Sequence, residues 1–184
     1  FGAYYRSQVD VDVDDGEATF KQILTGDAAF DAVVADTLPD TQSDVQTTLH
    51  FPAIWSVGAA WHPTKAWTWE LDFNWTQWSA FDELKLTFPT ADAADSLNTT
   101  IPEDYDDAFR VSVGAEHQLA TFAYRFGYYF DQAAAPTESV TPLLPDANRH
   151  GVSIGYSRDL GANKNWTLDW YNLAVFFENR STEG

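Results

Sequence analysis

The sequence predicts an all-β chain, an antiparallel transmembrane β-barrel wall of about seven strands, on three observations. The stretch from Trp67 to Trp75 alternates strictly between large apolar and polar side chains. The connections between segments of this kind alternate long and short. No apolar run approaches the roughly 18 to 20 residues that a membrane helix requires, so a chain that crosses a bilayer must do so as part of a closed barrel.

Each strand is read from its period of two. The first runs from Phe1 to about Asp14, with Tyr5, Val9, Val11 and Val13 opposite Arg6, Asp10, Asp12 and Asp14. The second sets Leu49, Phe51, Trp55, Val57, Ala59 and Trp61 against His50, Ser56, Gly58 and His62, and His62-Pro63-Thr64-Lys65 predicts a tight turn. In the third, Trp67, Trp69, Leu71, Phe73 and Trp75 share one face while Thr68, Glu70, Asp72 and Asn74 share the other. The fourth opposes Phe109, Val111, Val113 and Ala115 to Arg110, Ser112, Gly114 and Glu116. The fifth opposes Phe122, Tyr124, Phe126, Tyr128 and Phe130 to Arg125, Gly127 and Asp131. Val152, Ile154 and Tyr156 mark the sixth, and Trp166, Leu168 and Trp170 open the seventh opposite Thr167, Asp169 and Tyr171.

The long connections lie at about Gln22 to Val45, Pro89 to Asp104 and Gln132 to Ala147; the short ones at His62 to Ala66, near Leu119 and at Leu160 to Asn165. Short periplasmic turns and long external loops produce that alternation in outer-membrane barrels. Trp61, Trp67 and Trp69, around one short turn, fit an aromatic girdle at the bilayer interface. A soluble, aromatic-rich carbohydrate-binding β-sandwich also alternates polar and apolar residues, but has no reason to alternate loop lengths or to place aromatics at both ends of its strands.

Composition narrows the function. With 28 acidic against 10 basic side chains the formal charge is −18, which repels phosphates and argues against nucleic-acid binding. There are no cysteines, hence no disulfides or thiolate sites. No nucleophile elbow, phosphate loop or zinc-protease motif is present, so no catalytic residue, cofactor or metal is expected. The histidines His50, His62, His117 and His150 are scattered without metal spacing. Asp10, Asp12, Asp14, Asp15 and Glu17 superficially resemble a calcium loop, but Gly16 comes one residue late and Val11 and Val13 alternate as in a strand, so a solvated acidic strand end is expected. Whether such carboxylates take divalent cations stays open. The chain opens at Phe1, contains no methionine and stops just after a strand-like segment, so it reads as one incomplete barrel domain, residues 1–184, cut from a longer protein.

Four motifs carry a family resemblance: W-T-Q-W-S-A-F-D (Trp75 to Asp82), Y-D-D-A-F-R-V-S-V-G (Tyr105 to Gly114), F-D-Q-A-A-A-P (Phe130 to Pro136) and L-P-D-A-N-R (Leu144 to Arg149). In order and spacing, from Tyr4-Tyr5-Arg6-Ser7 to Tyr171, the chain resembles the FadL family of outer-membrane long-chain fatty acid and hydrocarbon transporters. The resemblance implies a barrel of about fourteen strands with an N-terminal hatch. This chain would then correspond to the seventh to thirteenth strands, with the hatch, the first strands and the closing strand outside it. It further implies passive transport, without enzymatic chemistry, of a long-chain fatty acid or other hydrophobic small molecule by a monomeric barrel seated in outer-membrane lipid and lipopolysaccharide. A general porin or a structural outer-membrane barrel is the alternative.

Two groups of candidate ligand-binding residues follow. Phe20, Ile23, Leu24, Phe30, Val33, Val34 and Leu38 lie in the longest loop, and Phe20/Ile23/Leu24 and Phe30/Val33/Val34 have the spacing of two short amphipathic helices. They either form part of an external groove that first captures the ligand, as the resemblance implies, or pack the loop onto its neighbours. On the polar strand faces stand Arg110 and Arg125, with Glu70, Asp72, Glu116, Asp131 and Asp169. Arginine on lipid would cost roughly 2–4 kcal/mol at the bilayer midplane, so this face is assigned to the lumen. There Arg110 or Arg125 either attracts a fatty-acid carboxylate or belongs to ladders of ion pairs that fill the wall.

Overall fold

A computed structural model describes residues 1–37, 43–89, 97–140, 145–161 and 165–180. In chain order the elements are β1 (Gly2–Arg6), β2 (Val9–Ala18), α1 (Ala28–Thr37), β3 (Ser43–Phe51), β4 (Ile54–Thr64), β5 (Trp67–Thr76), β6 (Glu83–Leu86), β7 (Thr99–Pro102), β8 (Ala108–Gln118), β9 (Phe122–Asp131), β10 (Arg149–Leu160) and β11 (Trp166–Phe177). They form two compact units, one of Phe1–Ser7, Pro52–Ser79 and Tyr105–Gly184, the other of Gln8–Phe51 and Ala80–Asp104.

The first unit is a single antiparallel sheet of seven strands in the order β1-β4-β5-β8-β9-β10-β11. Register puts like beside like. Val57 pairs with Phe73 and Phe73 with Val111; Val113 pairs with Tyr128 and Tyr128 with Val152. The other face carries the row Asn74, Arg110, Asp131 and Arg149. The buried apolar residues among those described are small apart from Phe88, and no large side chain is fully buried. Trp61, Phe126 and Trp170 are all more than half exposed, at 66%, 57% and 53%. A sandwich would cover this aromatic face with a second sheet. Here the sheet is one layer thick, as a wall between lipid and lumen must be.

The first short turn falls later than His62-Pro63-Thr64-Lys65. Pro63 has no N–H to give the ladder, and the register slips between Trp61 and Thr64. The chain reverses only at Lys65 and Ala66, where Ala66 N–H donates to Thr64 Oγ1 at 3.2 Å and Gln118 N–H donates to Ala66 O at 2.7 Å. Near Leu119 the expected turn forms, with Leu119 N–H donating to Phe122 O at 2.8 Å. The second strand is interrupted at Pro52-Ala53, both buried, and so divides into β3 and β4.

The second unit holds the ribbon β2–β3 and the hairpin β6–β7, with Gln46 bridged to Thr87. The expected first strand from Phe1 to about Asp14 is likewise broken, at Ser7-Gln8, into β1, which pairs with β4, and β2, which pairs with β3. β2 continues past Asp14 to Ala18 because a register shift between Val13 and Gly16 absorbs Asp14 and Asp15. Gly16 is required there, since a Cβ would stand 2.7 Å from Val45 O. The connection read from Pro89 to Asp104 contains β7, whose Thr-Thr-Ile-Pro run is too short to carry a periodic signal. No helix among the described residues is long and apolar enough to cross a membrane.

Candidate functional site

The loop between β2 and β3 contains one described helix where the spacing predicted two. Asp27 caps it: the N–H groups of Ala29 and Phe30 donate to Asp27 Oδ1 at 3.0 and 3.2 Å. The segment of Phe20, Ile23 and Leu24 is not helical. It is too short to nucleate a helix alone, and its end is tied to the start of α1. Asp31 accepts from Thr25 N–H and Thr25 Oγ1–H, each at 2.9 Å, and from Gly26 N–H at 3.3 Å; Gly26 takes φ 90, open to glycine. Those bonds, the Thr25 backbone N–H foremost, hold the Asp31 carboxyl below its ordinary value. Phe20 packs against Phe88 with ring centroids 5.8 Å apart. Ile23, Leu24, Phe30 and Val33 are exposed, Ile23 to 85%, and Val34 is half-buried. Leu38 lies outside the described residues.

The sheet's polar face carries two arginine clusters. Arg110 Nη2 meets Asp131 Oδ2 at 2.6 Å, Arg149 Nη2 meets the same oxygen at 3.0 Å, and the Arg110 guanidinium lies 4.9 Å from the Tyr129 ring centroid. Six residues along β8, Glu116 accepts from Arg125 Nε at 2.6 Å, while Arg125 Nη1 donates to Ser157 Oγ at 2.7 Å and Asp169 Oδ1 at 3.2 Å. Ser157 Oγ–H also donates to Asp169. Both expected arginines thus sit in ion-pair ladders, and they stand in a different unit from the apolar loop residues.

Arg149 was missed as a partner of Arg110. The signal was its position at the end of L-P-D-A-N-R, since that motif and F-D-Q-A-A-A-P are two sides of one rim. Asp146 Oδ2 accepts from the N–H groups of Ala134 and Ala135 at 2.7 and 3.0 Å, and Asn148 Oδ1 accepts from Ala133 N–H at 2.9 Å. Arg180 Nη2 donates to Ala135 O. Leu144 lies outside the described residues.

His50, His117 and His150 each meet neighbouring side chains. His50 Nδ1 is 2.7 Å from Asp10 Oδ1, and the His117 ring stacks on Trp67 at 4.3 Å. His150 bridges Tyr128 Oη at 2.8 Å and Glu178 Oε1 at 2.9 Å. That contact, then Asn148 Nδ2–H, lowers the Glu178 carboxyl below its ordinary range. Among the described residues no three His, Asp or Glu side chains converge as metal donors.

A one-layer antiparallel wall with an aromatic face and an arginine-laddered face defines a segment of a transmembrane β-barrel. The chain belongs to the outer membrane protein transport protein family (OMPP1/FadL/TodX), which it matches over residues 1–181. It is thus part of an outer-membrane barrel protein of a transport family. It is 26% identical over 159 residues to a long-chain fatty acid transport protein of Escherichia coli O6:H1, a match covering 84% of this chain and 34% of that relative. Its fold is similar to a FadL homologue of Pseudomonas aeruginosa, with TM-score 0.77 and 18% identity over 96% of this chain and 40% of that one. It is also similar to the CymD monoaromatic hydrocarbon channel, with TM-score 0.54 and 18% identity over 74% of this chain and 34% of the other. The chain therefore spans about a third of the length of the curated relative.

Proposed function

We propose that the complete protein passively carries long-chain fatty acids or related hydrophobic compounds across the outer membrane, and that this chain supplies part of the external capture surface and of the lumen wall. The observation that carries the reading is the group of Ile23, Leu24, Phe30 and Val33, large apolar side chains exposed in the connection between β2 and β3. Phe20 and Val34 lie beside them in sequence, completing a surface on which an apolar solute loses contact with water. The family, and the names of a relative, a long-chain fatty acid transport protein, and of a protein of similar fold, a monoaromatic hydrocarbon channel, support this substrate class.

Inside the lumen, Arg110 and Arg125 would meet an anionic head group. Arg110 shares the single carboxylate of Asp131 with Arg149, whereas Arg125 is matched by Glu116 and Asp169, so Arg110 is the readier of the two to pair with an incoming carboxylate. The aromatic outer face rests in outer-membrane lipid and the rim meets lipopolysaccharide, around a monomeric barrel with no cofactor.

The test is Ile23→Asp combined with Phe30→Asp in the complete protein, with oleate uptake by cells and displacement of a fluorescent fatty acid measured together. We expect both to fall about tenfold, which is the loss of roughly 1.4 kcal/mol of apolar contact. Unchanged uptake by folded variant protein refutes the capture surface. A steady ion current through purified protein, with no fatty acid binding, points instead to a general porin.

A further inference from the structure

The lumen side of β11 breaks the pattern of the other strands. Arg125 reaches across β10 to Asp169, so Asp169 lies on the ion-pair face. Tyr171, Leu173, Val175 and Phe177 share its parity and therefore also face the lumen. All four are exposed, although they stand where β5, β8 and β10 present Glu70, Asp72, Arg110, Ser112, Gly151 and Ser153. Lipid contact does not account for them, because the opposite face of β11, which the paired Val152 and Ile154 of β10 share, carries Leu168, Trp170, Asn172, Ala174 and Phe176.

Two features give this stripe the shape of a track. Its register partners on β10 are Gly155, Ser153, Gly151 and Arg149, so small residues flank the apolar ones until Arg149 is reached beside Phe177. The span from Tyr171 to Phe177 measures about 20 Å at strand spacing, close to an extended long alkyl chain. Tyr129 lays its ring over Gly151 and adds an apolar edge. At the Arg149 end, Nη2 lies between Asp131 Oδ2 at 3.0 Å and Asp146 Oδ1 at 3.9 Å, and the side chain is 36% exposed, while its Nε is buried without an acceptor among the described residues.

An apolar strip about one alkyl chain long, closed at one end by a guanidinium, is complementary to an amphiphile with a single anionic head and a straight tail. We propose that Tyr171, Leu173, Val175 and Phe177 form an inner track for the hydrocarbon part of the substrate, with its anionic head toward Arg149. This rests on the transport reading above and adds the residues along which the tail moves.

The chain contains no cysteine, so a single introduced thiol in this stretch reports alone once any elsewhere in the complete protein is removed. Leu173→Cys, Val175→Cys and, on the lipid face, Ala174→Cys are made in the complete protein in its membrane. Each is treated with a charged, membrane-impermeant maleimide, with and without palmitate, while palmitate binding is followed separately by displacement of a fluorescent fatty acid. The thiols at positions 173 and 175 are expected to react and the one at position 174 to stay silent. Palmitate at about ten times its dissociation constant is expected to slow the first two roughly tenfold. If positions 173 and 175 are silent without palmitate, another part of the protein covers the stripe and the track is overturned. If palmitate binds but leaves their labelling unchanged, the track falls while the transport reading stands. If palmitate does not bind at all, the track falls together with the fatty-acid form of the transport reading, and a hydrocarbon without a head group is left as the substrate.

Discussion

Replacing Asp131 by Asn tests what holds the outer rim of the wall. The Asp131 carboxylate, with its side chain 12% exposed, receives Arg110 at 2.6 Å and Arg149 at 3.0 Å. Asparagine keeps the shape but leaves two guanidinium groups close together with the shared counter-charge removed. Deleting one partner of a fully buried ion pair costs roughly 3–5 kcal/mol. Here Arg110 and Arg149 are 46% and 36% exposed, so water screens part of the loss. The expected cost is therefore about 2 kcal/mol, within the range for hydrogen bonds to charged groups. The assay is equilibrium urea unfolding of the complete protein in lipid vesicles, followed by tryptophan fluorescence. Adding Arg149→Gln to Asp131→Asn removes one of the stranded charges, and about 1 kcal/mol should return as coupling between the two sites. A cost below about 0.5 kcal/mol for Asp131→Asn, with strictly additive variants, would refute the reasoning: the rim would then be held by backbone pairing alone.

Three further outcomes follow from the same geometry. Val113→Arg should cost roughly 2–4 kcal/mol in vesicle refolding and the neighbouring Ser112→Arg under about 1 kcal/mol, because the two side chains point to lipid and lumen; equal costs would overturn the face assignment. The Asp31 carboxyl titrates below its ordinary value of 3.8, so its hold on Thr25 and Gly26 is complete above that pH and lost as pH falls through the lower folded value. Hydrogen exchange at those two amides should show this protection, and Asp31→Asn should weaken it at neutral pH and remove its acid dependence. Gly16→Ala forces a Cβ to within 2.7 Å of Val45 O, and should destabilise the β2–β3 ribbon by about 1–3 kcal/mol, read as faster amide exchange in Val11 and Val13; unchanged exchange would mean the ribbon yields freely.

How much could be read beforehand differed by element. Trp67 to Trp75 was unambiguous because a single-layer wall exposes each residue to lipid or to lumen, so local order along the chain records the environment directly. The arginine face followed from the same parity, and F-D-Q-A-A-A-P and L-P-D-A-N-R marked a rim whose bonding was not visible. The stretch around Phe20, Ile23 and Leu24 misled, since helical spacing says nothing about the bonds from Thr25 and Gly26 to Asp31 that stop the helix short. Arg149 was passed over because its partner Asp131 lies in another strand.

The order of residues along the chain was enough for the strands from Trp67 onward that build the wall, their two faces and the alternation of short and long connections, all of which depend on near neighbours and on period two. The breaks at Ser7-Gln8 and Pro52-Ala53 were not visible in it. Folding had to be seen before the β6–β7 hairpin, the slip of register at Pro63, the pairing of Arg110 and Arg149 on one carboxylate, and the apolar stripe that β11 turns inward could be recognised. Each of these depends on which distant segment arrives alongside, and hydrogen-bond register, which sets that, is a property of two strands at once.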